Sequence, residues 1–165
     1  MALIYESFLN KLIFLGGLFI MKRFALVFAL VLVLAISAGA EDFGKFTADV
    51  PAGWTATQNG PTTIFTKNDN TSNLSITVDE TGGATLEQLA DAFVDAFKNS
   101  GNFTDFTKPE KGEDGSITFD MKTTNGVVSN CMITSEDGKY LLVVVTGAEN
   151  GGEDLVNIMN SIKEK

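Results

Sequence analysis

Cys131 is the single thiol of this 165-residue sequence, and no His exists to activate it as a nucleophile. The absence of His also removes the commonest general base, the Ser-His-Asp arrangement, and the usual zinc and haem ligands. One Cys cannot form a CxxC redox pair or an internal disulfide framework. Alternation along its strand puts Cys131 on a covered face with Ile133, Leu142 and Val144, where a thiol is expected to be buried and inert. An unpaired thiol serving as nucleophile or intermolecular crosslink is the functional alternative.

The remaining candidates are weaker in chemistry. Trp54 and Phe65 either floor a ligand cleft or form a cross-strand aromatic core pair, and the core pair is the favoured reading. The run Asn68-Asp69-Asn70-Thr71-Ser72-Asn73 is oxygen-rich, yet it lacks the Asp-x-Asp-x-Asp-Gly order and terminal Glu of a calcium loop. It reads as an ordinary polar turn. Lys108 to Gly115 reads as a solvated loop, with partner contact as the functional alternative. Paired carboxylates for glycoside chemistry need a shared cleft, and the acids here are scattered. Sequons at Asn70, Asn73 and Asn102 matter only in a eukaryotic secretory route. No metal and no cofactor is expected.

Twenty-one acids against twelve basic residues give a net charge of −9, which argues against nucleic acid. The apolar residues are concentrated near the N-terminus. Lys22 and Arg23 precede thirteen apolar residues, Phe24 to Ile36, followed by Ser37-Ala38-Gly39-Ala40. This is the layout of a secretory signal peptide, with Ala38 and Ala40 as the small residues of a cleavage site after Ala40. The alternative, an uncleaved anchor, would want roughly 20 apolar residues. Met21 stands where the initiator of such a signal would stand, so residues 1–20 are expected to be a misassigned start or an N-terminal extension, and 21–40 the signal peptide. No Cys follows the cut, so no lipid anchor is expected there, and the product should be periplasmic or secreted.

Removing residues 1–40 takes away three bases (Lys11, Lys22, Arg23) and one acid (Glu6), leaving 125 residues with a net charge of −11 and no Arg. Loss of every Arg weakens anion capture as a role. A chain of this length suits one domain, 41–165, able to bury a core without staples.

Patterning supplies the elements. Phe46, Ala48 and Val50 alternate before the turn Pro51-Ala52-Gly53. A hairpin at Asn59-Gly60 would place Trp54 opposite Phe65 and Ala56 opposite Thr63. A loop centred on Asp69-Asn70 would place Phe65 opposite Leu74 and Thr63 opposite Ile76. Trp54, Phe65, Leu74, Ile76 and Val78 then share one face, with Thr55, Thr57, Thr66, Ser75 and Thr77 on the other. The next segment is expected to cover the apolar face. Thr85-Leu86-Glu87-Gln88 is a capping box, Gly101 a stop, and Leu86, Leu89, Ala90, Phe93, Val94 and Phe97 a helical stripe. Glu87, Asp91 and Asp95 lie off that stripe and read as a solvated face.

Phe103 and Phe106 anchor a polar stretch that admits a short strand. Hairpins at Asn125-Gly126 and Asp137-Gly138 follow, placing Phe119, Met132 and Val143 on one face and Asp120, Cys131 and Val144 on the other. Leu141 to Val145 is apolar on both faces and predicts a central strand. A last helix with Leu155, Ile158, Met159 and Ile162 covers the second side, Glu153 and Asp154 at its start and Lys163 near its end. The fold class is therefore α+β: an antiparallel sheet sandwiched between helices.

The opening Phe46-x-x-x-Val50-Pro51-x-Gly53-Trp54, the strand Leu74-Ser75-Ile76-Thr77-Val78, the amphipathic helix and the closing Ile158-Met159-Asn160-Ser161-Ile162-Lys163 resemble the PsbP-like superfamily. The resemblance spans residues 43–165 and implies an α/β/α sandwich used largely as a non-catalytic accessory module. It carries over no functional residue. The expected function is an exported binding protein of the cell envelope whose partner is another envelope protein. The alternative is a periplasmic carrier of a small molecule or divalent cation, which a cleft between Trp54 and the first helix would favour. An enzyme is the third reading and is not expected, because only Ser/Thr, Lys and carboxylates remain for chemistry.

Overall fold

The computed structural model describes residues 40–165. The expected start at Met21, the apolar run Phe24–Ile36 and the cleavage residue Ala38 lie outside the described residues, while Ala40 is exposed next to the first strand.

Five strands open the domain: β1 (Glu41–Asp42), β2 (Phe46–Ala48), β3 (Trp54–Asn59), β4 (Thr62–Lys67) and β5 (Asn73–Glu80). Helix α1 (Leu86–Ser100) follows, then β6 (Phe103–Thr104), β7 (Glu110–Lys111), β8 (Ile117–Thr123), β9 (Val128–Glu136) and β10 (Lys139–Thr146). Helix α2 (Ala148–Ser161) and β11 (Lys163–Glu164) close it. The large antiparallel sheet runs β3-β4-β5-β10-β9-β8-β6, with β7 beside β8, and β1-β2-β11 form a small sheet. No helix among the described residues is long and apolar enough to cross a membrane.

Helix α1 begins as its sequence dictates. The Thr85 hydroxyl accepts from the Gln88 N–H and the Gln88 side chain accepts from the Thr85 N–H, while Gly101 at φ 69° ends the helix in the left-handed region. The second helix carries a break at Gly152 (φ 53°, ψ −137°), so its regular part starts at Glu153. Lys163, expected near the helix C-terminus, instead pairs with Thr47 in the small sheet. That pairing satisfies backbone groups a longer helix would have left facing solvent.

Two registers differ from expectation. In the first hairpin the loop is Gly60-Pro61, so Trp54 faces Lys67 and Ala56 faces Phe65. Pro61 has no N–H to give the ladder and its φ is fixed, which places it in the turn; Gly60 alone there takes a positive φ. The slip is two residues and preserves the faces. In the hairpin after β8, Thr123 bonds Val127 across a three-residue loop, with Gly126 at φ 83°. That odd-numbered loop slips the register by one residue, so Phe119, not Asp120, faces Cys131, and Ile117, Phe119 and Met121 all turn into the core. The Asp69-Asn70 and Asp137-Gly138 registers are as expected.

The core is double. Phe43, Phe46, Trp54, Phe65, Leu74, Ile76, Met132, Leu141, Val143 and Val145 pack with Leu155, Ile158 and Met159 of α2. On the opposite face Ile117, Phe119, Met121, Cys131, Ile133, Leu142 and Val144 pack with Ala90 and Val94 of α1. The cover of the meander is thus α2 and the 43–48 segment, not α1. The reason lies in the pattern of the second face: it is hydroxyl-rich across β3–β5 and apolar only across β10–β8, where the α1 stripe docks. Only Ala90 and Val94 of that stripe are fully buried; Leu86, Leu89, Phe93 and Phe97 are half-buried. Strand β10 serves both cores, as its two-faced apolar run predicts.

Candidate functional site

Trp54 and Phe65 are 5% and 0% exposed. The Trp54 indole N–H donates to Asp154 Oδ2 of α2 at 3.0 Å, and Phe65 meets the Phe43 ring edge-on at 5.3 Å. Both are core residues, and α1, on the other face, forms no cleft with Trp54. Cys131 is 1% exposed, and burial, helped by the Asp120 charge, pushes its thiol far above the ordinary range. The 68–73 run is a hairpin tip in which Asp69 accepts from the Thr71 N–H and hydroxyl, which holds its carboxyl below the usual range with help from Lys67. Among the described residues no three His, Cys, Asp or Glu side chains converge on one point.

The structure instead brings together residues the sequence kept apart. Asp91, Val94, Asp95 and Lys98 stand on one face of α1 at the i, i+3, i+4, i+7 spacing. Facing them is the strand-like arm between β6 and β7, Phe106-Thr107-Lys108-Pro109. Between helix and arm lies an open groove of about 660 Å³. Val94 forms an apolar floor and Phe106 a half-buried aromatic wall.

The arm is clasped to the sheet edge. The Thr107 N–H donates to the Asp120 carbonyl at 2.9 Å, and the Asp120 N–H donates to Thr107 Oγ1 at 2.8 Å. Lys122 pairs with Asp105 at 3.2 Å, and Asp105 sits at φ 52°, turning the chain back across the helix. Lys111 of β7 reaches Glu87 at 2.8 Å; this contact, ahead of a backbone N–H, lowers the Glu87 carboxyl. Glu87 is thus part of the frame, not only a solvated acid.

Charge on the groove walls is mixed. Lys98 lies 5.6 Å over the Phe106 ring centre and 4.0 Å from Asp95. Asp91 and Lys108 make no ion pair among the described residues and are open to an incoming group. Sequence reasoning had Phe106 as an anchor of a polar stretch, Lys108 to Gly115 as a solvated loop with partner contact only as the alternative, and Asp91 and Asp95 as solvent-facing. The signal it left unused was an acid pair flanking Val94, followed by an aromatic just beyond the helix stop.

Two helices packed against a large antiparallel sheet make an α+β fold that is PsbP-like. The chain superimposes on the solution structure of cyanobacterial PsbP (CyanoP) from Synechocystis sp. PCC 6803 with a TM-score of 0.50, at 15% identity over 77% of this chain and 91% of that one. A crystal structure from Bacteroides thetaiotaomicron aligns with a TM-score of 0.39 at 14% identity, over 77% of this chain and 47% of that one. No protein-family model matches the sequence. No curated protein matches it either.

Proposed function

We propose that the protein is an exported, non-catalytic accessory module that binds another protein of the cell envelope through the groove between α1 and the 106–109 arm. The observation that supports this reading is the groove itself. A half-buried aromatic, an apolar floor and a rim of opposed charges, two of them unpaired, make the anatomy of a protein-binding patch. The groove is open to solvent, which leaves it accessible to a partner. The secretory layout of residues 21–40 supports a partner outside the cytoplasm.

Crosslinked pull-down from native envelope extract, read by mass spectrometry, tests it. Phe106→Ala removes the anchor and Asp91→Lys inverts one free charge; both lie away from the fully buried core. One enriched partner, lost with both variants and weakened by salt, is the expected result. A partner retained by both variants would remove the groove from the reading. N-terminal sequencing of the secreted form, expected to begin at Glu41, tests export.

The volume of the groove also falls in the range of small-molecule sites. A carrier role is therefore the second reading. A blank pull-down together with a thermal shift on screening small zwitterionic ligands would favour it.

A further inference from the structure

The two edges of the large sheet are treated differently. Beyond β8, β6, the Thr107 clasp and β7 cover the backbone from end to end. Strand β3, at the other edge, has no strand beyond it among the described residues. The Asn59–Thr62 pair closes its hairpin, and the Asn68 N–H donates to the Gly53 carbonyl at 2.8 Å, so Thr55, Thr57 and Asn59 are the residues bonded to β4. The N–H and C=O groups of Ala56 and Gln58 therefore point outward. No backbone partner receives them among the described residues, whereas the Trp54 N–H is held by the Pro51 carbonyl.

An open edge is normally blunted by Lys, Pro or a bulge. Trp54–Asn59 has none of these and no charge. Its exposed face continues without charge onto β4 through Thr62, Ile64 and Thr66, and Ile64 is 37% exposed. On a chain of net charge −9 this neutral strip is where a like-charged copy can approach closely, since repulsion between more distant acids is screened beyond about 8 Å at physiological salt. The strip is also self-complementary. In an antiparallel copy centred on Thr57, Ala56 faces Gln58 of the second molecule, each pair exchanging both backbone bonds, and Thr57 faces Thr57, a favourable cross-strand pair.

We propose that β3 is a self-association edge, through which two copies of this chain join their sheets antiparallel about a two-fold at Thr57. It is independent of the groove, which lies by the other edge.

Sedimentation velocity on the purified protein, from micromolar to submillimolar concentration, tests it with two variants. Ala56→Pro deletes an outward N–H without touching the β4 ladder. Thr57→Lys sets two like charges against each other at the axis. The wild type is expected to dimerise with concentration, more tightly as salt rises, with the Ala56 and Gln58 amides protected from hydrogen exchange in the dimer. Each variant is expected to stay monomeric with an unchanged circular dichroism spectrum; if Ala56→Pro misfolds, Thr57→Lys decides alone. A wild type that stays monomeric throughout, or a dimer that Thr57→Lys leaves intact, overturns the proposal. Protected Ala56 and Gln58 amides in a monomer would mean the chain covers its own edge.

Discussion

Cys131 shows how burial decides the character of a side chain. Its neighbours Ile133, Leu142 and Val144 keep water from the sulfur, so the thiol holds its proton more tightly in the folded chain than in the unfolded one, where it titrates near 9.0. Above that pH the native state binds more protons than the unfolded state, and stability falls as pH rises. Tyr140, raised by burial and then by the Asp79 charge, acts in the same direction. Urea midpoints are expected to hold to pH 8 and decline above 9, with a shallower decline for Cys131→Ala. A thiol reagent should label the wild type only after denaturation. At Trp54 the expectation is different: Trp54→Phe deletes the bond to Asp154 and part of the buried ring, costing about 1–2 kcal/mol by urea denaturation. That Cys131 is buried and Trp54 a core residue was legible in alternation alone. The partner of Trp54 was not, because Asp154 is a hundred residues distant and only packing of α2 brings it close.

At the scale of elements, local chemistry was the most readable layer. The Thr85/Gln88 box and the Gly101 stop stand where their residues put them, and Thr85→Ala is expected to cost about 1 kcal/mol, measured by thermal or urea unfolding. Hairpin registers were less secure. Asn125-Gly126 satisfies either a two-residue or a three-residue loop, and the choice turns on whether Phe119 or Asp120 enters the core. Core burial settles it, and no dipeptide can. Gly147 makes a sharper case: it sits at φ 64°, and a Cβ there would strike the Thr71 carbonyl, a backbone atom that cannot swing aside. Gly147→Ala is expected to cost about 2–3 kcal/mol and to loosen the 68–72 hairpin tip from α2, visible as faster amide exchange at Asn70 and Thr71.

For the molecule as a whole, the two cores lie on opposite faces and opposite halves of one sheet, meeting at β10. Each helix covers the half it can bury, and each leaves a half exposed. The exposed acids that matter to stability are those with partners. Lys165 lowers the Asp42 carboxyl, the Glu80 N–H and Lys45 lower Asp79, and Lys111 lowers Glu87. Depressed folded values mean stability that is present above the ordinary carboxylate range and lost as pH falls through the folded values. The melting temperature is expected to be level from pH 5 to 8 and to fall below about pH 4, less steeply in high salt because these pairs are solvent-exposed.

Alternation, caps and turn residues act over a few positions, and from sequence alone they determined the long strands, both helices and the α+β class, but not the face that β8 turns to each core. Which helix covers which face, the Trp54–Asp154 bond, and the meeting of Asp91 and Lys98 with Phe106 were decided only by the tertiary structure. Each depends on residues far apart in the chain competing for the same apolar half-sheet. That competition is settled by the total area each arrangement removes from water, a property of the whole packed domain.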